Sequence, residues 1–209
     1  MLSPDDSRLY VGCHDGAVYA LDSSTGRVIW KWQTGAQVQS DQVLSADGET
    51  LYIGSDDTNV YAIDTKSGVP RWTYKTGGFV RSGLTLGPPS LAPSFAAAVE
   101  EGALYFGSFD GFIYCLSTTD GMLQWRTKTG GAVGSKPALG VHKPSKRLIL
   151  YQGSFDGKLY ALDASDKGRV VWTWDSGGEV HSDPALDDQA GVVYCATYAG
   201  YVFALKLPE

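Results

Sequence analysis

Asparagine occurs once in this chain of 209 residues, at Asn59, methionine twice, and cysteine and histidine three times each. Cys13, Cys115 and Cys195 form no Cys-x-x-Cys pair and no adjacent pair, so a disulfide framework is excluded and all three read as small buried residues. His14, His142 and His181 share no metal-ligand spacing. No stretch approaches 18 apolar residues, so no helix spans a membrane. Lys and Arg number 17 against 23 acids and form no block, and with a pI near 5.0 a nucleic-acid surface is not expected, because phosphates need clustered cations. Residues 1–6 show neither a basic nor an apolar leader, which points to an intracellular setting, or to a periplasmic one if the chain extends upstream. A sustained 3.6-residue apolar period is absent, as are a Gly-x-Ser-x-Gly elbow, a glycine-rich phosphate loop and a paired-carboxylate signature.

What is abundant is glycine, at 26 residues, together with 12% aromatics and 43% hydrophobics. Laying the chain on itself shows why. Leu9-Tyr10-Val11-Gly12 returns as Leu51-Tyr52-Ile53-Gly54, Leu104-Tyr105-Phe106-Gly107 and Leu150-Tyr151-Gln152-Gly153. A degraded copy is Val193-Tyr194-Cys195-Ala196, and the steps are 42, 53, 46 and 43 residues. Seven residues after each final position stands an aromatic: Tyr19, Tyr61, Tyr114, Tyr160 and Phe203. Between them lies a turn such as Asp15-Gly16, Asp110-Gly111 or Asp156-Gly157, a strong hairpin signal because glycine accepts a positive φ. A second turn leads to Trp30, Trp72, Trp125 and Trp172. A glycine step and Val-x-Ser follow, at Val38-Gln39-Ser40, Val80-Arg81-Ser82, Val133-Gly134-Ser135 and Val180-His181-Ser182.

Each unit therefore predicts four short antiparallel strands: A from Val-x-Ser, B at Leu-Tyr-x-Gly, C at the aromatic, D at the tryptophan. Four strands per repeat of this length match a β-propeller blade, which buries its faces by stacking on its neighbours. The expectation is an all-β chain forming one propeller domain over 1–209, with blades near 1–35, 36–78, 79–131, 132–178 and 179–209. Ser94 to Glu101 could form a helical turn and is read as an elaborated A–B loop.

The string Ala20-Leu21-Asp22-Ser23-Ser24-Thr25-Gly26-Arg27-Val28-Ile29-Trp30 and its copies ending in Trp72, Trp125 and Trp172 resemble the tryptophan-docking motif of PQQ-repeat, quinoprotein-like propellers. The resemblance implies that each of these four tryptophans packs on the neighbouring blade. It does not bring the quinone. Dehydrogenases of this family carry about eight blades, a vicinal cysteine pair, a Ca²⁺ held by Glu, Asn and Asp, and a catalytic Asp. This chain has no adjacent cysteines, and its single Asn59 follows a turn, so PQQ, Ca²⁺ and catalytic residues are not carried over. Non-catalytic relatives are scaffolds: outer-membrane assembly propellers, and the C-terminal propellers of aminoadipate-semialdehyde-dehydrogenase-type adenylate-forming proteins.

Met1-Leu2-Ser3 aligns with Val43-Leu44-Ser45, so the first unit begins inside strand A, and the last stops after strand C. An arc of a larger propeller is expected, with closure as five imperfect blades as the alternative; open blade edges would favour self-association. Strand A is innermost in a blade, so its varying positions face the channel or its mouth: Gln39, Arg81 and His181, then Asp41, Lys136 and Asp183, with Gly134 and Gly83 as blanks. The leading expectation is a non-catalytic module that binds protein or peptide within a larger protein. Fragment of a PQQ-dependent dehydrogenase and channel-based small-molecule sensor are the alternatives.

Overall fold

A computed structural model describes residues 1–87, 102–142 and 146–207. Ser94–Glu101 lie outside the described residues. The described chain is all strand and turn, in five antiparallel sheets each in sequence order. The first holds β1 (Arg8–Gly12), β2 (Ala17–Asp22) and β3 (Val28–Gln33). The second holds β4 (Val43–Leu44), β5 (Thr50–Gly54), β6 (Asn59–Asp64) and β7 (Pro70–Lys75). The third holds β8 (Thr85–Gly87), β9 (Ala103–Gly107), β10 (Phe112–Ser117) and β11 (Leu123–Lys128). The fourth holds β12 (Ala138–His142), β13 (Arg147–Gly153), β14 (Lys158–Asp163) and β15 (Arg169–Asp175), and the fifth β16 (Ala185–Asp187), β17 (Val192–Ala196) and β18 (Val202–Lys206). An isolated bridge from Leu2 to Leu9 marks the inner strand of the first sheet. The inner strand β12 touches both β8 and β16, so the first strands line the inside of an arc of propeller blades.

The repeated residues are the joints between blades. A Cβ on Gly12, Gly54, Gly107 or Gly153 would stand 2.5, 2.4, 2.2 or 2.6 Å from Cγ1 of Val38, Val80, Val133 or Val180 in the next unit. The B-strand glycine is thus the hole into which the valine of Val-x-Ser fits. The serine of the same triplet faces its own blade. Ser40 Oγ accepts the Gly54 N–H at 2.7 Å, Ser82 Oγ the Gly107 N–H at 3.0 Å, and Ser182 Oγ the Ala196 N–H at 2.6 Å. One triplet therefore locks two blades through packing on one side and a buried hydrogen bond on the other.

The tryptophans are aimed by a β-bulge. In all four sheets with an outer strand the register slips just before the tryptophan, between Ala20/Leu21, Ala62/Ile63, Cys115/Leu116 and Ala161/Leu162 of the partner strand. A bulge bends the strand and re-aims the following side chain. Trp30 lies over Gly68, Trp72 over Gly121 and Trp125 over Gly168, where an added Cβ would come within 2.7, 2.6 and 2.3 Å of the ring. The same three glycines have φ of 73°, 71° and 67°, so turn geometry and ring contact both demand glycine. The indole N–H of Trp30 bonds Thr65 O and that of Trp72 bonds Thr118 O, each at 2.9 Å. The corresponding turn of the fourth unit is one residue longer, and there the buried Trp125 N–H has no acceptor within reach. Trp172 packs instead into the apolar cluster between the fourth and fifth sheets, with Ile149, Val193 and Phe203.

Candidate interaction rim

The B–C turns and the D–A links meet at one end of the arc. Their meeting is fixed by a repeated backbone bond: Asp56 N–H to Gln37 O at 2.8 Å, Phe109 to Phe79 at 2.9 Å, Phe155 to Ala132 at 2.9 Å and Tyr198 to Glu179 at 3.0 Å. Three of the B–C turns are held from behind by an aspartate. In Asp57, Asp110 and Asp156, Oδ1 accepts the N–H two residues on, and Oδ2 accepts both the tyrosine hydroxyl four residues on and a glycine N–H of the preceding unit. With the aspartate fixed, the residue before it is held out on the rim, and in the fifth unit, where Ala199 replaces the aspartate, Tyr198 takes the same place. Those residues are His14, Asp56, Phe109, Phe155 and Tyr198.

The position inside Val-x-Ser reaches back to the rim residue of the preceding unit. Arg81 grips Asp56 with two bonds, Nε to Oδ1 at 2.9 Å and Nη2 to Oδ2 at 2.8 Å. This pairing raises the guanidinium's already high pKa. The Arg81 guanidinium also lies over two rings, 5.1 Å from the Phe79 centroid and 5.3 Å from that of Phe109. Gln39 donates to the same Asp56 at 2.9 Å. His181 stacks on Phe155 at 3.7 Å and 21°, meets Tyr198 at 4.5 Å, and shares a 2.7 Å hydrogen bond with Glu179. Between these two groups the triplet carries Gly134, and Phe109 meets Phe155 directly, centroids 5.4 Å apart at 77°. A Cβ at Gly134 would come within 3.0 Å of Phe155 and 3.3 Å of Phe109, so the blank lets the two rings close.

The result is a continuous ladder across three units: Phe79 and Arg81, Phe109, Phe155, His181, Tyr198. Its ends are the most open, with Phe79 44% and Tyr198 79% exposed. Planar rings and a guanidinium held rigid by a scaffold are the groups that dominate protein interfaces, since they offer much contact area at little entropic cost.

Of the six varying strand-A residues, Gln39, Arg81 and His181 belong to this rim. Asp41, Lys136 and Asp183 lie one pleat further along the inner strands and do not join the ladder. Asp183 Oδ1 accepts the Lys136 N–H at 2.6 Å, the Lys136 stem covers Gly83, and Asp41 is exposed while its carbonyl takes the Leu84 N–H. Sequence reasoning passed over Phe79, Phe109, Phe155, Tyr198 and Asp56, because the B–C turn was read for its Asp-Gly alone. Aligning the residue before each turn aspartate, and noticing two phenylalanines and a tyrosine in an exposed loop, would have found them. Among the described residues no three His, Cys, Asp or Glu side chains gather as metal ligands, and no helix is long and apolar enough to cross a membrane.

A family model described as outer membrane protein assembly factor BamB matches residues 2–92 and 110–206. Among solved structures, the crystal structure of BamB from Moraxella catarrhalis superposes with a TM-score of 0.74 at 18% identity. The match covers 99% of this chain and 57% of that one. No curated protein sequence matches the chain.

Proposed function

The chain belongs to the PQQ-repeat propeller family of outer membrane protein assembly factor BamB, and on that premise we propose that it is a non-catalytic scaffold that binds protein segments along its aromatic rim. The observation that carries this reading is the unbroken ladder of part-exposed rings from Phe79 to Tyr198, with Phe109 and Phe155 fixed by the Asp–Tyr staples beside them. An extended segment laid across the rim would meet an aromatic surface at each of the last three units, with Arg81, Gln39 and Glu179 to take its polar groups. The family's description, assembly of outer membrane proteins, fits a scaffold whose ligands are other polypeptides. A bound quinone or Ca²⁺ has no place in this reading, since the sequence has no vicinal cysteine pair and the described residues offer no carboxylate cluster.

A panel of 12-residue peptides of random sequence tests it. Peptides selected on the native chain are expected to lose about tenfold or more in affinity for the Tyr198→Ser, Phe79→Ser double variant, the loss typical of removing central aromatic contacts. Selection of the same peptides at the same affinity by the double variant would remove the rim as the binding surface.

A further inference from the structure

The chemistry of the rim restricts both the conformation and the charge of a polypeptide that fits it. The backbone N–H groups beside the ladder are already spent. Those of residues 109–112 donate to Phe79 O, Ser108 Oγ, Ser108 O and Asp110 Oδ1. Those of residues 155–158 donate to Ala132 O, Ser154 Oγ, Ser154 O and Asp156 Oδ1. The N–H groups of Val80, Val133 and Val180 go to Ser55 O, Ser108 O and Ser154 O. The Phe79 and Ala132 carbonyls are occupied by the same bonds. A ligand in strand conformation would lose water from its inner backbone groups and gain no ladder in return. A polyproline II segment makes no ladder, keeps its backbone hydrated, and at each proline has no N–H to satisfy.

The rings are spaced for such a segment. Phe109 lies 6.3 Å from Phe79 and 5.4 Å from Phe155, each step about two residues of a polyproline II helix that rises ~3.1 Å per residue. Arg81 spends Nε and Nη2 on Asp56, which leaves Nη1 for a carbonyl of the ligand.

The charge at the rim is acidic. The B–C turns and D–A links carry Asp15, Asp56, Asp57, Asp110, Asp156 and Glu179 against the single Arg81. Arg81 is matched by Asp56 and Asp15 by Lys31. Among the described residues no lysine or arginine pairs with the other four, and Glu179, 54% exposed at the side of the ladder, meets only His181. Complementarity therefore favours a basic ligand.

We infer that the rim takes a basic, proline-containing segment in the polyproline II conformation. Its prolines lie along Phe79, Phe109 and Phe155, and its basic residues face Glu179. This holds only if the rim is the peptide-binding surface proposed above.

Three 12-residue peptides titrated into the full chain test it: four repeats of Pro-Pro-Arg, of Ser-Ser-Arg and of Pro-Pro-Glu. The first is expected to bind saturably and each of the others about tenfold or more weakly. Phe79→Ser should weaken the first peptide by about tenfold, and Glu179→Lys should shrink the preference for the arginine peptide over the glutamate one. Both residues are exposed, and cooperative thermal unfolding shows that the variants fold. Equal binding of the serine peptide would reduce the attraction to charge alone and overturn the inference. So would full affinity in Phe79→Ser, an unchanged charge preference in Glu179→Lys, or no binding at millimolar peptide. Random peptides selected on the native chain separate this inference from the reading it rests on. Selected peptides that need the rim but are not enriched in proline overturn the polyproline II ligand alone, whereas the absence of any rim-dependent peptide overturns both.

Discussion

Tyr160 donates its hydroxyl proton to Asp156 Oδ2 at 2.5 Å, and the same oxygen takes the Gly130 N–H of the preceding unit at 2.7 Å. A residue four places down the hairpin thus holds the turn, and the turn holds the neighbouring blade. The arrangement recurs at Asp57 with Tyr61 and Asp110 with Tyr114. Asp110→Ala should remove three hydrogen bonds at once and leave the buried Tyr114 hydroxyl unpaired. A loss of about 2–3 kcal/mol is expected, larger than the ~1 kcal/mol of Tyr114→Phe, because Asp110→Ala orphans a buried donor, whereas Tyr114→Phe leaves Asp110 with its two backbone donors. Urea titration of the two variants checks the order, and equal losses would mean that the tyrosine alone matters.

The same staple makes the fold sensitive to alkali. Burial, and next the Asp156 carboxylate, push the Tyr160 phenol up to about 12, and the same causes raise Tyr61 and Tyr114. The folded chain favours the neutral phenol, so the stabilisation is whole below pH 10, the usual phenol value, and fades as pH climbs through the folded-state value. Stability should begin to fall above pH 10 and go on falling as the three phenols ionise. Tyrosinate absorbance and tryptophan fluorescence should change together. Tyrosinate appearing at pH 10 with fluorescence unchanged would show the phenols to be ordinary.

The glycine–valine joint predicts a rescue. Gly107→Ala places a methyl 2.2 Å from Val133 Cγ1 in a fully buried junction, and should cost about 1–3 kcal/mol, the usual range for overpacking. Adding Val133→Ala removes the nearest clashing atom, Cγ1, and leaves Cβ at 2.7 Å and the carbonyl oxygen at 2.8 Å, so the double variant should recover part of the stability that Gly107→Ala loses. A double variant less stable than either single one would place the strain elsewhere. Chemical denaturation of the four forms completes the cycle.

The sequence made the joints readable because they repeat. Glycine, valine, serine and tryptophan recur at fixed offsets, and only packing between identical units demands that. The bulge before each tryptophan was hidden, since its extra residue is Ile29, Arg71, Gln124 or Val171 and has no common chemistry. The rim was half legible for the opposite reason. Its positions vary by design of the repeat, so Arg81 and His181 stood out as polar residues in a fixed frame, whereas Phe109 and Phe155 hid inside turns that seemed explained by Asp-Gly. Nor did the sequence say that Arg81 would face Asp56 in the preceding unit; the two lie 25 residues apart and meet through blade stacking. The fifth unit shows the code failing as a set. Ala199 stands for the aspartate and Phe203 for its tyrosine, so the donor and the acceptor of the staple vanish together, while the buried Thr197 hydroxyl beside them is left without a partner.

The Arg81 pair separates binding from folding. The Arg81 side chain is 37% exposed, and Asp56, only 9% exposed, keeps the Gln39 amide as donor, so Arg81→Ala should move Tm by no more than a few degrees. Arg81→Lys keeps the charge but cannot make the two-point grip on Asp56 or lie flat over Phe79 and Phe109. If the rim binds its partners through a rigid ladder, Lys should weaken rim-selected peptides nearly as much as Ala does, with stability unchanged in both. Calorimetric titration of one such peptide against the three forms decides it. Full affinity in Arg81→Lys would reduce the role of this residue to a positive charge and leave the aromatic rings as the binding surface.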